Sequence, residues 1–172
     1  MLFISLIIKL KMPGKTILLT IVLFNIMQLQ AQDISVNVLD FESFETLLSK
    51  KNDTVYVLNF WATWCAPCVK ELPDFEKLNK QYQDKNFKMI LVSLDFRKML
   101  ESHLLPFIEK NRLQAEVLML HAPDANAWID RIDPSWSGAI PATLIYKNEF
   151  SFFREGSMSY TELNQIVKPL IH

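Results

Sequence analysis

Cysteine and glycine are both scarce in this chain of 172 residues, which has two of the first and three of the second. So few glycines, with no internal repeat and no low-complexity stretch, exclude a collagen-like or linker-rich protein. Two cysteines cannot build the multi-disulfide framework of a small secreted scaffold. Long runs of one charge are missing as well, and a formal net charge of −1 gives no electrostatic reason to expect nucleic acid or an anionic membrane surface as a partner. What the chain does have is an ordinary globular composition, with 50% hydrophobic and 22% charged residues, enough to bury a core in one domain.

Acidic residues are absent from the first 31 positions, which carry Lys9, Lys11 and Lys15, then the apolar run Ile17–Met27, then "QLQAQD". A basic segment, a short apolar segment and a small residue, Ala31, near the cut are the order of a secretory signal peptide. Leu29 fits the cleavage pattern imperfectly, and Met12 is a second candidate start. The alternative is an uncleaved N-terminal membrane anchor, but Ile17–Leu29 falls short of the roughly 20 residues that span a bilayer and contains Asn25 and Gln28. The expectation is a signal peptide over 1–31, a domain over 32–172, and a periplasmic or otherwise exported location. Cleavage there would remove three lysines and no acid, moving the formal charge from −1 to −4.

Hydrophobic periodicity predicts the elements of that domain. Ile34–Leu39 alternates like an edge strand, and Phe41, Phe44, Leu47 and Leu48 mark a short amphipathic helix. The continuous apolar runs "TVYVLNFW" and "FKMILVSL" read as strands covered on both faces. Between them Val69, Leu72, Phe75, Leu78 and Tyr82 recur at helical spacing, which makes a βαβ unit with parallel strands. A helix over 98–112, kinked at Pro106, comes next, followed by a strand at Glu116–Leu120 and an irregular or short-helical insertion, "HAPDANAWIDRIDPSWSG". Ala142–Tyr146 and Phe150–Glu155 read as a hairpin, and Ser159 with Glu162 as a capping box opening the last helix. Met89, Met99, Met119 and the late phenylalanines are read as core. Trp128 and Trp136 are read as packing the insertion onto the sheet, ahead of a partner-binding surface.

Both cysteines lie in "NFWATWCAPCVKELP", three positions apart. A bridge between them closes a four-residue loop, worth roughly 2 kcal/mol on the chain-entropy model and so a poor staple. A redox couple or half of a metal site is the stronger reading. A strand running into Cys65 and a helix starting near Ala66 put the first sulfur at a helix N-terminus, where unpaired N–H groups favour a thiolate. Cys65 is then the attacking thiol. Cys68, one turn further in, is the more buried one that resolves the mixed disulfide. Pro67 suits the first helical turn. Trp64, beside the thiolate, offers a flat contact surface.

"FWATWCAPC" with Pro73, and "GAIPATLIYKN" with Gly156 downstream, resemble the active-site helix, cis-proline loop and hairpin of the thioredoxin fold, over essentially all of residues 34–171. The resemblance implies an α/β fold with a central mixed sheet, flanking helices and an insertion before the cis-proline loop. It also implies a cis Ile140–Pro141 bond beside the cysteines, with Ile140 a local contact and tuning position. Thioredoxin carries a buried Asp where this chain has Asn59, whereas Glu71, three residues after Cys68, resembles the glutamate of the exported TlpA/ResA-like thiol reductases. That group implies a Cys65/Cys68 couple reducing disulfide-containing protein substrates, apocytochrome c among them, recharged by a membrane or periplasmic electron donor and needing no cofactor. Glu71 would move the proton of the inner thiol, or else solvate the helix start. Nothing in the sequence selects one substrate or an oligomeric state.

Two other functions compete. A copper or zinc carrier would need further ligands from His103, His121 or His172, none of them near the pair in sequence. A thiol peroxidase of this fold carries Thr or Ser three residues before its cysteine and Pro seven before, where this chain has Ala62 and Leu58.

Overall fold

The computed structural model describes residues 35–171; the segment read as a signal peptide lies outside them. One six-stranded sheet runs in the order β1-β4-β3-β2-β5-β6. Its strands are β1 (Asn37–Leu39), β2 (Val55–Trp61), β3 (Phe87–Ser93), β4 (Glu116–Leu120), β5 (Ala142–Lys147) and β6 (Phe150–Glu155). The four strands from β1 to β2 are parallel, and the hairpin β5–β6 adds antiparallel to β2. Helix α1 (Phe41–Leu48) follows β1, and α2 (Ala66–Tyr82) links β2 to β3 in the expected βαβ unit. The α/β thioredoxin-like architecture read from the sequence is the one observed.

All seven residues of β2 are buried, as a strand covered on both faces requires. One face carries Val55, Val57 and Trp61 against Leu72, Phe75 and Leu78 of α2. The other carries Tyr56, Leu58 and Phe60 against Phe41 and Phe44 of α1 and against the insertion. In the insertion Trp128 and Trp136 are both buried, and each donates its indole N–H to a nearby carbonyl, of Ala122 at 3.0 Å and Ala139 at 2.8 Å. The Trp128 ring stacks on Phe41 and the Trp136 ring packs at a tilt against Phe60, at centroid distances of 5.9 and 4.7 Å, so packing is what they do here. Gly138 is required within this segment: its φ is +89°, and a Cβ there would meet Ile129 Cδ1 at 2.9 Å.

The segment expected as one kinked helix over 98–112 is wound three ways. A 3₁₀ turn at Arg97–Met99 passes into a π turn at Leu100–Leu104 and then into helix α3 (Leu105–Asn111). Pro106 has no N–H to return to the turn before it, and that turn widens. A short helix α4 (Ile129–Ile132) lies in the insertion, and α5 (Tyr160–Val167) closes the domain behind the full Ser159/Glu162 capping box. Met89 and Met119 are core, but Met99 is half-buried and Phe150, at the hairpin turn, is exposed. Among the described residues, no helix is long and apolar enough to cross a membrane.

Candidate active site

The sheet register gathers the site at one end. Trp61, the last residue of β2, pairs with Ser93 of β3, while Ala142, the first residue of β5, pairs with Phe60. The loop after β2, the loop after β3 and the residue before β5 therefore meet beyond the carboxyl end of β2, where ligands of parallel sheets usually bind. Cys65 is the N-cap of α2, with extended backbone (φ −88°, ψ 99°), and its Sγ accepts the Cys68 N–H at 3.3 Å. The donor that would stabilise a thiolate is thus in place. Cys65 and Cys68 form a disulfide with 5.3 Å between their Cα atoms. Cys65 is 6% exposed and Cys68 not at all, which is the order of access expected of an outer and an inner thiol.

The Ile140–Pro141 peptide is cis, as the resemblance implied. The carbonyl oxygen of Ile140 lies 3.7 Å from Cys65 Sγ. In the disulfide that sulfur has no proton to give, so the approach is a contact that becomes a weak S–H donor bond only in the dithiol. Gly156 ties the loop down from the far strand by donating its N–H to the Pro141 carbonyl at 2.8 Å, with φ at +103°. Trp64 is 56% exposed beside the disulfide.

Glu71 is buried at 5% exposure beneath the first turns of α2. Its Oε1 accepts from Asn59 Nδ2 and its Oε2 from the Met158 backbone N–H, both at 2.9 Å. Burial holds its carboxyl above the usual range, against the opposing pull of these hydrogen bonds. A solvated role at the helix surface is therefore excluded by its position. Asn59 also donates to Thr143 Oγ1 at 3.2 Å, a contact that follows from the pairing of Asn59 with Thr143 across β2 and β5.

Sequence reasoning missed Asp95. It is 3% exposed and accepts from the Thr63 N–H at 3.1 Å, the Thr63 hydroxyl at 2.6 Å and the Ser93 hydroxyl at 2.8 Å. These bonds tie the loop leading into Cys65 to the end of β3. The signal available was an acid at the end of a buried parallel strand. Of the histidines of the metal reading, His103 and His121 are exposed and His172 lies outside the described residues; no group of three or more His, Cys, Asp or Glu is gathered for a metal among the described residues.

A cis-proline loop facing a Cys-x-x-Cys disulfide at a helix N-terminus, on this sheet, defines a thioredoxin-fold redox protein. Residues 27–149 match the AhpC/TSA family, and the chain belongs to that family. It is 45% identical over 67 residues to the thioredoxin-like protein YneN of Bacillus subtilis, a stretch that is 39% of this chain and 36% of that protein. It is 49% identical over 39 residues to the thiol-disulfide oxidoreductase ResA of Oceanobacillus iheyensis, covering 23% of this chain and 20% of the relative. The matches thus span about a third or less of these curated relatives. A thiol:disulfide interchange protein of Chlorobium tepidum shares the fold with a TM-score of 0.57 at 24% identity, over 69% of this chain and 80% of that one.

Proposed function

We propose that the protein is an exported thiol–disulfide oxidoreductase that reduces disulfides in protein substrates. The observation that carries this reading is the Cys65–Cys68 disulfide at the N-terminus of α2, facing cis Pro141. In the reduced protein, the Cys65 thiolate attacks one sulfur of the substrate disulfide. The Cys65–substrate bond forms, the substrate S–S bond breaks, and the departing substrate sulfur takes a proton. Cys68 then gives its proton to Glu71 and attacks the Cys65 sulfur. The second substrate sulfur leaves as a thiolate and is protonated, Glu71 giving up the proton it took, and two electrons have passed from the dithiol to the substrate. An external dithiol donor in the membrane or periplasm returns the pair to the reduced state. Pro141 and Ile140 present the substrate chain and Trp64 offers it a flat surface.

The similarity to proteins named thiol-disulfide oxidoreductases supports the reaction class. Resemblance to the TlpA/ResA-like group makes apocytochrome c a specific candidate substrate. Removal of residues 1–31 as a signal peptide accounts for an oxidising location. Ala62 and Leu58 leave the peroxidase reading without its supporting residues.

Trapping tests the roles. Cys68→Ser is expected to accumulate mixed disulfides through Cys65, and Cys65→Ser to abolish turnover; a folded Cys68→Ser protein that captures no partner would sink the assignment. The direction of electron flow is read from the reduction potential. A value below about −230 mV fits a reductant, and one above about −150 mV an oxidant.

A further inference from the structure

Three large apolar side chains are exposed among the described residues: Trp64, Phe96 and Phe150. Phe150 sits at the β5–β6 turn, away from the disulfide. The other two share a location. Trp64 follows Thr63 and Phe96 follows Asp95, and Thr63 and Asp95 are bonded to each other at 2.6 and 3.1 Å. The Leu94 N–H donates to the Trp61 carbonyl at 2.8 Å, so the loops leaving β2 and β3 run side by side. The structure therefore holds two aromatic side chains, 56% and 64% exposed, on adjoining loops next to Cys65. Exposed aromatics grouped in this way mark a contact surface more often than isolated ones do.

Access to Cys65 narrows what can cover this surface. With Cys65 only 6% exposed, it is reached only by a chain laid closely on the surrounding loops. Whatever brings a disulfide to Cys65 must pass its flanking residues over them; Trp64 immediately precedes Cys65, and Phe96 lies on the neighbouring loop that leaves β3. Charge supplies the second constraint. Arg97 and Lys98 are both exposed, and the Lys98 ammonium lies 6.0 Å over the Phe96 ring. The outer rim of the patch is thus cationic, with Glu101 the nearest exposed acid in sequence, in a chain whose formal net charge is −1.

We propose that Trp64 and Phe96 form a specificity platform for the polypeptide beside the substrate disulfide, selecting a large apolar side chain followed by an acidic one. The inference rests on the thiol–disulfide reading above and adds to it a sequence preference. Phe96 takes the apolar side chain against its ring; Arg97 and Lys98 take the carboxylate at the rim.

The test uses the full chain, reduced with dithiothreitol and freed of it, in single-turnover reduction of synthetic peptides that carry one disulfide. One peptide has Phe-Glu after its second cysteine, another Ser-Glu and a third Phe-Lys. The parent is expected to reduce the Phe-Glu peptide about tenfold faster than the Ser-Glu peptide, a partial burial of one aromatic side chain. Phe96→Ser should bring that ratio close to one. The double variant Arg97→Glu with Lys98→Glu should remove or invert the preference for Phe-Glu over Phe-Lys. A parent that reduces all three peptides at equal rates overturns the platform while leaving the redox reading intact, and so does a Phe96→Ser ratio equal to the parent's. A parent that reduces none of them, although its dithiol is titratable, overturns the redox reading and the platform with it.

Discussion

Replacing Trp136 by phenylalanine tests whether the insertion anchors the cis-proline loop. The indole is buried against Phe60, Trp128 and Phe153, with ring centroids 4.7, 5.7 and 5.8 Å away. Its N–H donates to the carbonyl of Ala139, two residues before Pro141, at 2.8 Å. Phenylalanine keeps most of the ring contacts and loses the donor. Leaving that partly buried carbonyl unpaired costs about 1–2 kcal/mol, the lower part of the range for an unsatisfied backbone group. The smaller ring leaves a gap whose lost contacts add about 1 kcal/mol. Trp136→Phe should therefore destabilise the domain by about 2–3 kcal/mol, and Trp136→Ala by about 3–5 kcal/mol because the aromatic contacts go as well. Urea unfolding followed by far-UV circular dichroism measures this as a shift in midpoint at constant slope. The same Phe variant should reduce peptide disulfides more slowly, since the loop bearing Ile140 and Pro141 has lost a tether. A Trp136→Phe midpoint within about 0.5 kcal/mol of the parent would refute the reasoning.

Asp95→Ala leaves the Thr63 N–H and two hydroxyls without their acceptor, and should cost about 2–3 kcal/mol in urea unfolding while slowing disulfide reduction. An unaltered midpoint would show that the loop is held by other bonds. Glu71 titrates in the folded protein above its ordinary value of 4.5, because burial opposes its charge, so its stabilising proton is fully held below that pH and lost as pH rises through the folded value. Glu71→Gln should accordingly gain stability relative to the parent as pH rises across that window, and stability curves that run parallel from pH 4 to 8 would count against it. Glu162 is the opposite case: hydrogen bonds from Ser159, then from Arg154, hold it at about 2, so its contribution is present above 4.5 and is lost as pH falls toward 2. Ser159→Ala, which breaks the capping box, should destabilise the domain by about 1 kcal/mol at pH 7 and flatten the acid limb of its stability curve; a limb as steep as the parent's would contradict this.

Features governed by neighbours in sequence are legible in the sequence alone. The buried runs at β2 and β3, the helical spacing of α2 and the Ser159/Glu162 box each depend on residues within one or two turns of each other, and each lies within a residue or two of its expected bounds. The Cys65 N-cap was equally local. Features governed by sheet register were not. Asp95 bonds to Thr63 because β2 and β3 end together, and Thr143 reaches Asn59 because β5 returns antiparallel on β2. No spacing rule within one segment encodes either pairing. The π turn before Pro106 belongs to a third kind: proline announced a disturbance, but whether the chain would kink or widen depended on how Leu100 and Leu104 met the core.

The distribution of buried acid explains why Asn59 differs from the aspartate of thioredoxin. Asn59 Nδ2 lies 2.9 Å from Glu71 Oε1, so an aspartate at 59 would put two carboxylates in hydrogen-bond contact beneath the disulfide. Two such groups cannot both ionise; they share one proton and titrate as a pair. With an amide at 59, Glu71 stands as a single titrating group, held by donors from Asn59 and Met158 and opposed by its burial. The other buried carboxylate among the described residues, Asp95, is occupied with Thr63 and Ser93. One acid fixes the loop that carries the outer sulfur, and the other lies one helical turn from the inner sulfur, free of a second acid within hydrogen-bond reach. That separation lets the proposed proton acceptor respond to Cys68 without disturbing the geometry that aims Cys65.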